Sequence, residues 1–146
     1  MNLKNLEMIQ GLNVRNEPGF RYADQLVDGI KTVETRENLR LKGLIGKTVK
    51  IIRTGEGAAQ VIGEVTFKNQ PPIVYDSPAK FKADRHRHLV GNDSDYKFDG
   101  LKYGYEVTNP VRYKYAYLAP KNKGILTTKK VPGPRFESKT KEGQIQ

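Results

Sequence analysis

Alternation of hydrophobic and polar residues dominates the chain and is typical of strands that bury one face. Two stretches rich in β-branched residues, 47–54 and 60–68, flank a glycine-containing segment and predict a β-hairpin. Further strands are predicted at residues 11–16, 31–36, 71–78, 101–109 and 111–119. The fold is therefore expected to consist mainly of short strands.

Two segments have helical spacing instead. In residues 20–30 the apolar positions recur every three or four residues, and Gly29 suits the left-handed residue that follows a helix. Residues 79–89 form the second predicted helix, with Ser77 or Asp76 as its N-cap. Some six strands with two or three short helices predict an α+β fold, a small and mostly antiparallel β-barrel.

The composition is that of one globular domain. A chain of 146 residues is long enough for a single core, and 36% hydrophobic with 29% charged residues is typical of a soluble protein. The absence of cysteine excludes disulfides and thiolate zinc sites. No apolar run approaches the roughly 20 residues of a membrane span, and the first ten residues do not resemble a signal peptide. We therefore expect a cytoplasmic protein without membrane contacts, cofactor or metal.

Positive charge is concentrated at the C-terminal end. Residues 1–110 contain 17 Lys and Arg against 14 Asp and Glu, whereas residues 111–146 contain 9 against 2. A basic end on a nearly balanced body suits contact with phosphates, although a solubilising tail would have the same composition. We expect a lead-in at 1–9, a domain at 10–130 and a basic, flexible tail at 131–146.

The stretch GIKTVETR, residues 29–36, places three charged side chains close together in sequence. A lysine near a glutamate can bind a phosphate or carbonyl oxygen, and the glutamate can act as a general base. An arginine offers a planar fork for a phosphate or a base edge. Strand alternation, however, puts Lys31 opposite Glu34 and Arg36. Convergence of all three requires either a bulge or a helix-to-strand junction that presents Lys31 from outside the strand.

The pattern Gly-x-Lys-x-x-Glu-x-Arg at 29–36, preceded by a helix and followed by β-rich sequence, resembles the signature of the ASCH domain family of PUA-like β-barrels. The likeness extends over most of residues 10–128. It implies an RNA-binding or RNA-processing barrel with a cleft beside the motif. Lys31 and Glu34 would then be the candidate catalytic residues facing the cleft, and Arg36 would line or brace it. A plain ion pair between Glu34 and Arg36, with Lys31 in solvent, is the structural alternative.

One position departs from the family pattern. Members that remove an acyl group from modified cytidine carry a threonine nucleophile three residues after the lysine, where this chain has Glu34. A carboxylate cannot replace an activated hydroxyl in acyl transfer, although it can activate water. The expected function is therefore binding of RNA, single-stranded rather than paired, or of a nucleotide. The alternatives are hydrolysis of single-stranded RNA or acylated cytidine, and a small accessory protein that binds a protein partner.

The segment DRHRH, residues 84–88, contains both histidines of the chain. On a helix His86 and His88 point about 200° apart, so they cannot share a metal ion. Arg85, Arg87 and His86 are candidates for a basic helix face that contacts phosphates. A solvated helix face is the alternative, and either histidine could serve as a general acid in RNA cleavage.

Aromatic and basic residues alternate late in the chain. Arg112 and Lys114 are predicted on one strand face, and Tyr113, Tyr115 and Tyr117 on the other. Arg112 and Lys114 are candidate nucleic-acid contacts, because rings beside basic residues suit stacking on unpaired bases. A barrel without tryptophan also needs aromatic residues for its core. We expect most of these tyrosines in the core and one ring exposed at the cleft.

Overall fold

Seven strands and four short helical segments are present in the computed structural model, which describes residues 7–120 and 128–133. The strands are β1 (Glu7–Arg15), β2 (Val33–Arg36), β3 (Thr48–Thr54), β4 (Gln60–Phe67), β5 (Ile73–Tyr75), β6 (Lys102–Leu118) and β7 (Thr128–Gly133). The helices are α1 (Tyr22–Val27), α2 (Pro78–Ala83) and α3 (Arg85–His88), together with a 3₁₀ helix (Arg40–Leu44).

The strands form one sheet in the order β2-β6-β4-β3-β1-β7, and β5 also pairs with β6. The β1–β3 pair is parallel and the other pairs are antiparallel. A mostly antiparallel β fold with a few short helices, as predicted, is thereby confirmed. Pairing among the described strands leaves β2 and β7 as the two ends of the path. Closure into a barrel therefore stays a prediction.

The main core lies between the sheet and the helices, and a smaller cluster lies apart from it. The inward face of α1 contributes to the main core, as the helical spacing predicts. The smaller cluster joins residues of β3, β4, β6 and β7 and consists of Ile52, Val61, Val111, Tyr113 and Val131. The connection between β2 and β3 also reaches the core, because the 3₁₀ helix buries Leu41 and Leu44.

The two strands predicted around Pro110 are one strand of 17 residues. Two steps along β4, from Glu64 to Thr66, correspond to three along β6, from Val111 back to Thr108. Asn109 takes the left-handed conformation with φ of 50° at this irregularity. A bulge accommodates a proline that a regular ladder would not, because the proline there need not donate a ladder hydrogen bond. The sequence signal for a break was thus a signal for a bulge.

The predicted helix at 79–89 is divided into α2 and α3 at Asp84. Ser77 is the N-cap, as predicted, and its Oγ accepts a hydrogen bond from the Lys80 amide at 3.2 Å. The first predicted helix is shorter than expected. Gly29 follows its C-cap with φ of 77°, which confirms the left-handed glycine.

Strand pairing extends beyond both predicted domain boundaries. β1 begins at Glu7, inside the predicted lead-in, and β7 runs to Gly133, inside the predicted tail. Val131 of β7 is buried opposite Ile9 of β1. Residues 1–6 and 134–146 lie outside the described residues. In the part of the chain that the structure describes, we find no helix with the length and apolarity to cross a bilayer.

Candidate functional site

The junction between α1 and β2 places Lys31 outside both elements. After the left-handed turn at Gly29, the amides of Ile30 and Lys31 both donate to the carbonyl oxygen of Gln25, at 2.9 and 3.0 Å. The amide of Thr32 donates to the Arg87 carbonyl oxygen at 3.0 Å. The side chain of Lys31 is therefore freed from strand alternation. Of the two geometries that would allow convergence, the structure has the helix-to-strand junction.

Lys31 is a buried cation, with only 1% of its surface exposed. Its Nζ donates to the carbonyl oxygen of His88, lies 3.9 Å from Glu34 Oε1, and sits 4.9 Å from the centroid of the Tyr22 ring. Burial lowers the pKa of Lys31 to about 8, with Glu34 opposing the change and Arg36 adding to it. At neutral pH the ammonium form therefore still predominates, with a larger neutral fraction than an ordinary lysine has.

Glu34 lies between the two cations. It is 6% exposed, and its Oε2 accepts from Arg36 Nε at 2.8 Å, with Nη2 2.7 Å away. Nη2 of Arg36 also donates to the Asn13 carbonyl oxygen at 2.9 Å, which links β2 to β1. The three predicted charges thus converge, with Lys31 and Glu34 buried and Arg36 partly exposed. The alternative with Lys31 in solvent does not describe this arrangement, although its Glu34–Arg36 pair is present.

A chain of hydroxyl and carboxyl groups, not identified from the sequence, continues from the Tyr22 ring beneath Lys31. The Tyr22 hydroxyl donates to Ser94 Oγ at 2.7 Å, and Ser94 Oγ donates to Glu17 Oε2 at 2.6 Å. Burial raises the pKa of Tyr22 to about 12, against the effect of the Ser94 hydrogen bond. All three side chains are buried. No spacing in the sequence signals this contact, because Glu17 and Ser94 are 77 residues apart.

His88 supports the site through its backbone. Its ring is completely buried, Nδ1 accepts from the Val90 amide at 2.9 Å, and Nε2 lies 2.6 Å from the Phe81 carbonyl oxygen. The proton of the neutral ring is therefore on Nε2. Burial lowers the pKa of His88 to about 4, with the Phe81 hydrogen bond opposing and Lys31 adding to the effect. A neutral, buried ring is unsuited to act as general acid at neutral pH. His86 is exposed, in agreement with the predicted divergence of the two rings.

The predicted basic contacts differ in how far carboxylates neutralise them. Arg87 binds Asp84 at 2.6 and 2.8 Å and Glu106 at 3.2 Å. The Asp84 hydrogen bond raises the pKa of Arg87. Arg85 instead binds neutral acceptors, the Val90 carbonyl oxygen at 3.2 Å and Asn92 Oδ1 at 2.6 Å. Among the described residues, neighbouring carboxylates thus neutralise the charge of Arg87 but not that of Arg85, and Arg85 is the better placed of the two to attract a phosphate.

Arg112 and Lys114, on β6, form a second contrast. Arg112 donates to Asp28 at 2.7 and 3.1 Å and to Asp24 at 2.8 Å. Lys114 is exposed, and its Nζ lies 5.5 Å from the Tyr115 ring centroid. In the described ranges, no group of three or more His, Asp and Glu side chains is arranged to hold a metal ion.

The fold is ASCH-like. The crystal structure of ASCH from Zymomonas mobilis matches with a TM-score of 0.55 and 17% identity over 70% of each chain. A tyrosine-to-phenylalanine mutant of that protein matches at 0.55 and 18%, over 71% of this chain and 73% of that chain. A serine-to-alanine mutant matches at 0.54 and 16%, over 71% of each.

At these identities the likeness shows the fold alone, and it confirms the fold that the 29–36 motif predicts. No protein-family model matches the chain, and no curated protein matches it in sequence. The chain is thus an ASCH-like domain in which buried Lys31 and Glu34 and half-buried Arg36 cluster where the first helix meets the sheet.

Proposed function

We propose that this chain binds RNA or a nucleotide in a charged cleft of a PUA-like barrel, beside Lys31, Glu34 and Arg36. The observation that carries the proposal is the burial of Lys31 and Glu34 together. Removing an ionised group from water costs several kcal/mol, and an apolar pair of similar volume is often at least as stable. Buried charge with a displaced pKa is therefore typical of functional sites.

The arrangement suits an anionic, planar ligand. Of the three charged side chains, Arg36 is the most exposed, at 22%, so an incoming phosphate or base edge would meet its guanidinium first. Lys31 and Arg36 outnumber the single carboxylate, which leaves a net positive charge. The Glu34 and Asn13 contacts hold the guanidinium in place, so little side-chain freedom is lost when the ligand binds.

Binding of short single-stranded RNA and of mononucleotides to Lys31→Met and Arg36→Gln variants tests this proposal. We expect affinities roughly ten- to 100-fold weaker, because each variant removes a charged partner of the ligand, and wild-type affinity that falls as salt rises. Lys82→Met removes the same charge from an exposed position in α2 and is the matched control. Affinities unaffected by salt and by both cluster variants would contradict the proposal.

Hydrolysis is the second candidate function, favoured by the Lys31 pKa of about 8 next to a carboxylate. A partly neutral amine can accept a proton, and Glu34 can orient or activate water. Single-stranded RNA and acylated cytidine are the substrates to test, with Glu34→Gln as the comparison. Turnover by the wild type but not by the variant would establish catalysis, and failure to convert either substrate would reject it.

A further inference from the structure

The second half of β6 contains a large bulge opposite β4. Arg112 pairs with Gly63 and Tyr117 pairs with Val61, so four residues of β6 face the single residue Ile62. Residues 114–116, the last three of these four, are all exposed. Bulges redirect side chains and are frequent beside functional sites.

Hydrogen bonds hold the bulge at both ends. At its first residue, the buried Tyr113, the hydroxyl is hydrogen-bonded to both Lys50 Nζ and Glu64 Oε1. After its last residue, the hydroxyl of the half-buried Tyr117 donates to the Pro132 carbonyl oxygen at 2.7 Å. The Tyr113 and Tyr117 rings stack with centroids 6.5 Å apart. The exposed residues therefore project from an anchored base.

Tyr115 and Lys114 form the exposed part of the bulge. Tyr115 is 69% exposed, and Lys114 Nζ lies 5.5 Å from its ring centroid. Within the described residues Lys114 makes no ion pair, in contrast to Arg87 and Arg112. An aromatic ring and an uncompensated ammonium thus face solvent together, in the part of the chain that has 9 Lys and Arg against 2 Asp and Glu after residue 110.

We propose that Tyr115 is a stacking platform for one unpaired base of single-stranded RNA, with Lys114 contacting the adjacent phosphate. The proposal rests on RNA being the ligand of the domain, and adds a second contact away from the cleft. Stacking on a flat ring uses the π-face that every base has, so the contact tolerates any sequence. The charge of this region favours a polyanion over a protein partner. A duplex does not suit the platform, because its bases are already stacked on one another.

The platform and the cleft are separated along the sheet. Glu34 of the cluster is opposite Tyr105 in β6. The interval of β6 from Val107 to Tyr117 follows six residue steps of β4, from Phe67 to Val61, which is roughly 20 Å of strand. A mononucleotide in the cleft would therefore leave the platform empty, whereas a longer strand could occupy both. Dependence of affinity on RNA length is the signature of this arrangement.

Full-length Tyr115→Leu, Tyr115→Phe and Lys114→Gln proteins are compared in binding a single strand of about ten nucleotides and a mononucleotide. We expect Tyr115→Leu to bind the strand roughly five- to 100-fold more weakly, and Tyr115→Phe to bind it as the wild type does. Lys114→Gln should reduce the slope of log affinity against log salt by about 0.7. Mononucleotide affinity should be unchanged in all three.

The outcomes separate this inference from the proposed function. If Tyr115→Leu binds the strand like the wild type, the platform is refuted, and the cleft stands provided that Lys31→Met and Arg36→Gln bind the strand more weakly. If Tyr115→Leu loses the strand while Lys31→Met and Arg36→Gln both keep it, the platform stands and the cleft is refuted. The platform is also refuted if the wild type binds no RNA. The same holds if the wild type binds a protein instead of RNA and Tyr115→Leu loses that protein.

Discussion

Replacement of Lys31 by methionine should remove a pH-dependent cost from the folded state. Folding transfers the ammonium of Lys31 from water to a site made by Tyr22 of α1, Glu34 and Arg36 of β2, and the His88 carbonyl oxygen of α3. Methionine has a similar length and no charge. The stability of the two proteins should therefore depend differently on pH.

The sign follows from proton binding. The pKa of Lys31 is about 8 in the folded protein, against an ordinary value of 10.5. Between pH 8 and 10.5 the unfolded chain therefore binds more protons, and wild-type stability rises with pH. Well below pH 8 Lys31 is charged in the folded protein, and the full cost of burying that charge is present. The cost is about 3 kcal/mol, at roughly 1.36 kcal/mol for each unit by which the pKa is lowered. From pH 7 to pH 9 the stability of the wild type relative to Lys31→Met should increase by about 1 kcal/mol.

Urea unfolding of both proteins at pH 7, 8 and 9 measures this difference. The range ends at pH 9 because buried tyrosines, Tyr22 among them with a pKa of about 12, affect stability in more alkaline solution. Lys82→Met, an exposed replacement, should follow the wild type over the range. A stability difference between wild type and Lys31→Met that stays constant or decreases from pH 7 to pH 9 would refute burial of a charged lysine.

Three other changes test neighbouring parts of the argument. Glu34→Gln removes the carboxylate that opposes the lowering of the Lys31 pKa, so the alkaline rise in stability should begin below pH 8 in urea unfolding. Gly63→Ala should destabilise the fold by about 2 kcal/mol or more, because its Cβ would lie 2.2 Å from a carbonyl oxygen of β6; Gly43→Ala, with open space around the Cβ, is the control in the same assay. Ser77→Ala should cost about 1 kcal/mol by loss of the α2 N-cap, and Ser77→Asp should restore it in thermal unfolding.

Local chemistry made part of this site predictable from the sequence. Gly29 ends a helix because of its own backbone freedom, and Glu34 and Arg36 share a strand face because they are two residues apart. The charged motif and its place between helix and strand therefore follow from short-range rules. They also lead to the ASCH-like fold.

The remaining features depend on residues distant in sequence. The buried Lys31 donates its hydrogen bond to the carbonyl oxygen of His88, which is 57 residues away in sequence. Residues 131–133 of β7 belong to the predicted tail, because Pro132 is a poor strand signal and the segment becomes a strand through its pairing with β1. The large bulge exists because β6 has more residues than β4 between the same two paired positions. This difference cannot be seen in the sequence of either strand alone. Alternation rules place Tyr115 with Tyr113 and Tyr117, whereas the bulge separates it from both.

The same strand that connects the two proposed contacts also keeps them independent. Between the cluster and the bulge, β6 is fixed by Arg112, which donates to Asp24 of α1 and to its C-cap residue Asp28. The bulge itself is anchored by the hydrogen bonds of the buried Tyr113 and the half-buried Tyr117. A change at an exposed side chain of the bulge therefore leaves the register of β6 intact, and with it the position of Glu34 opposite Tyr105. Loss of strand binding in Tyr115→Leu would thus report a lost contact with RNA, because the Lys31–Glu34–Arg36 cluster remains in place.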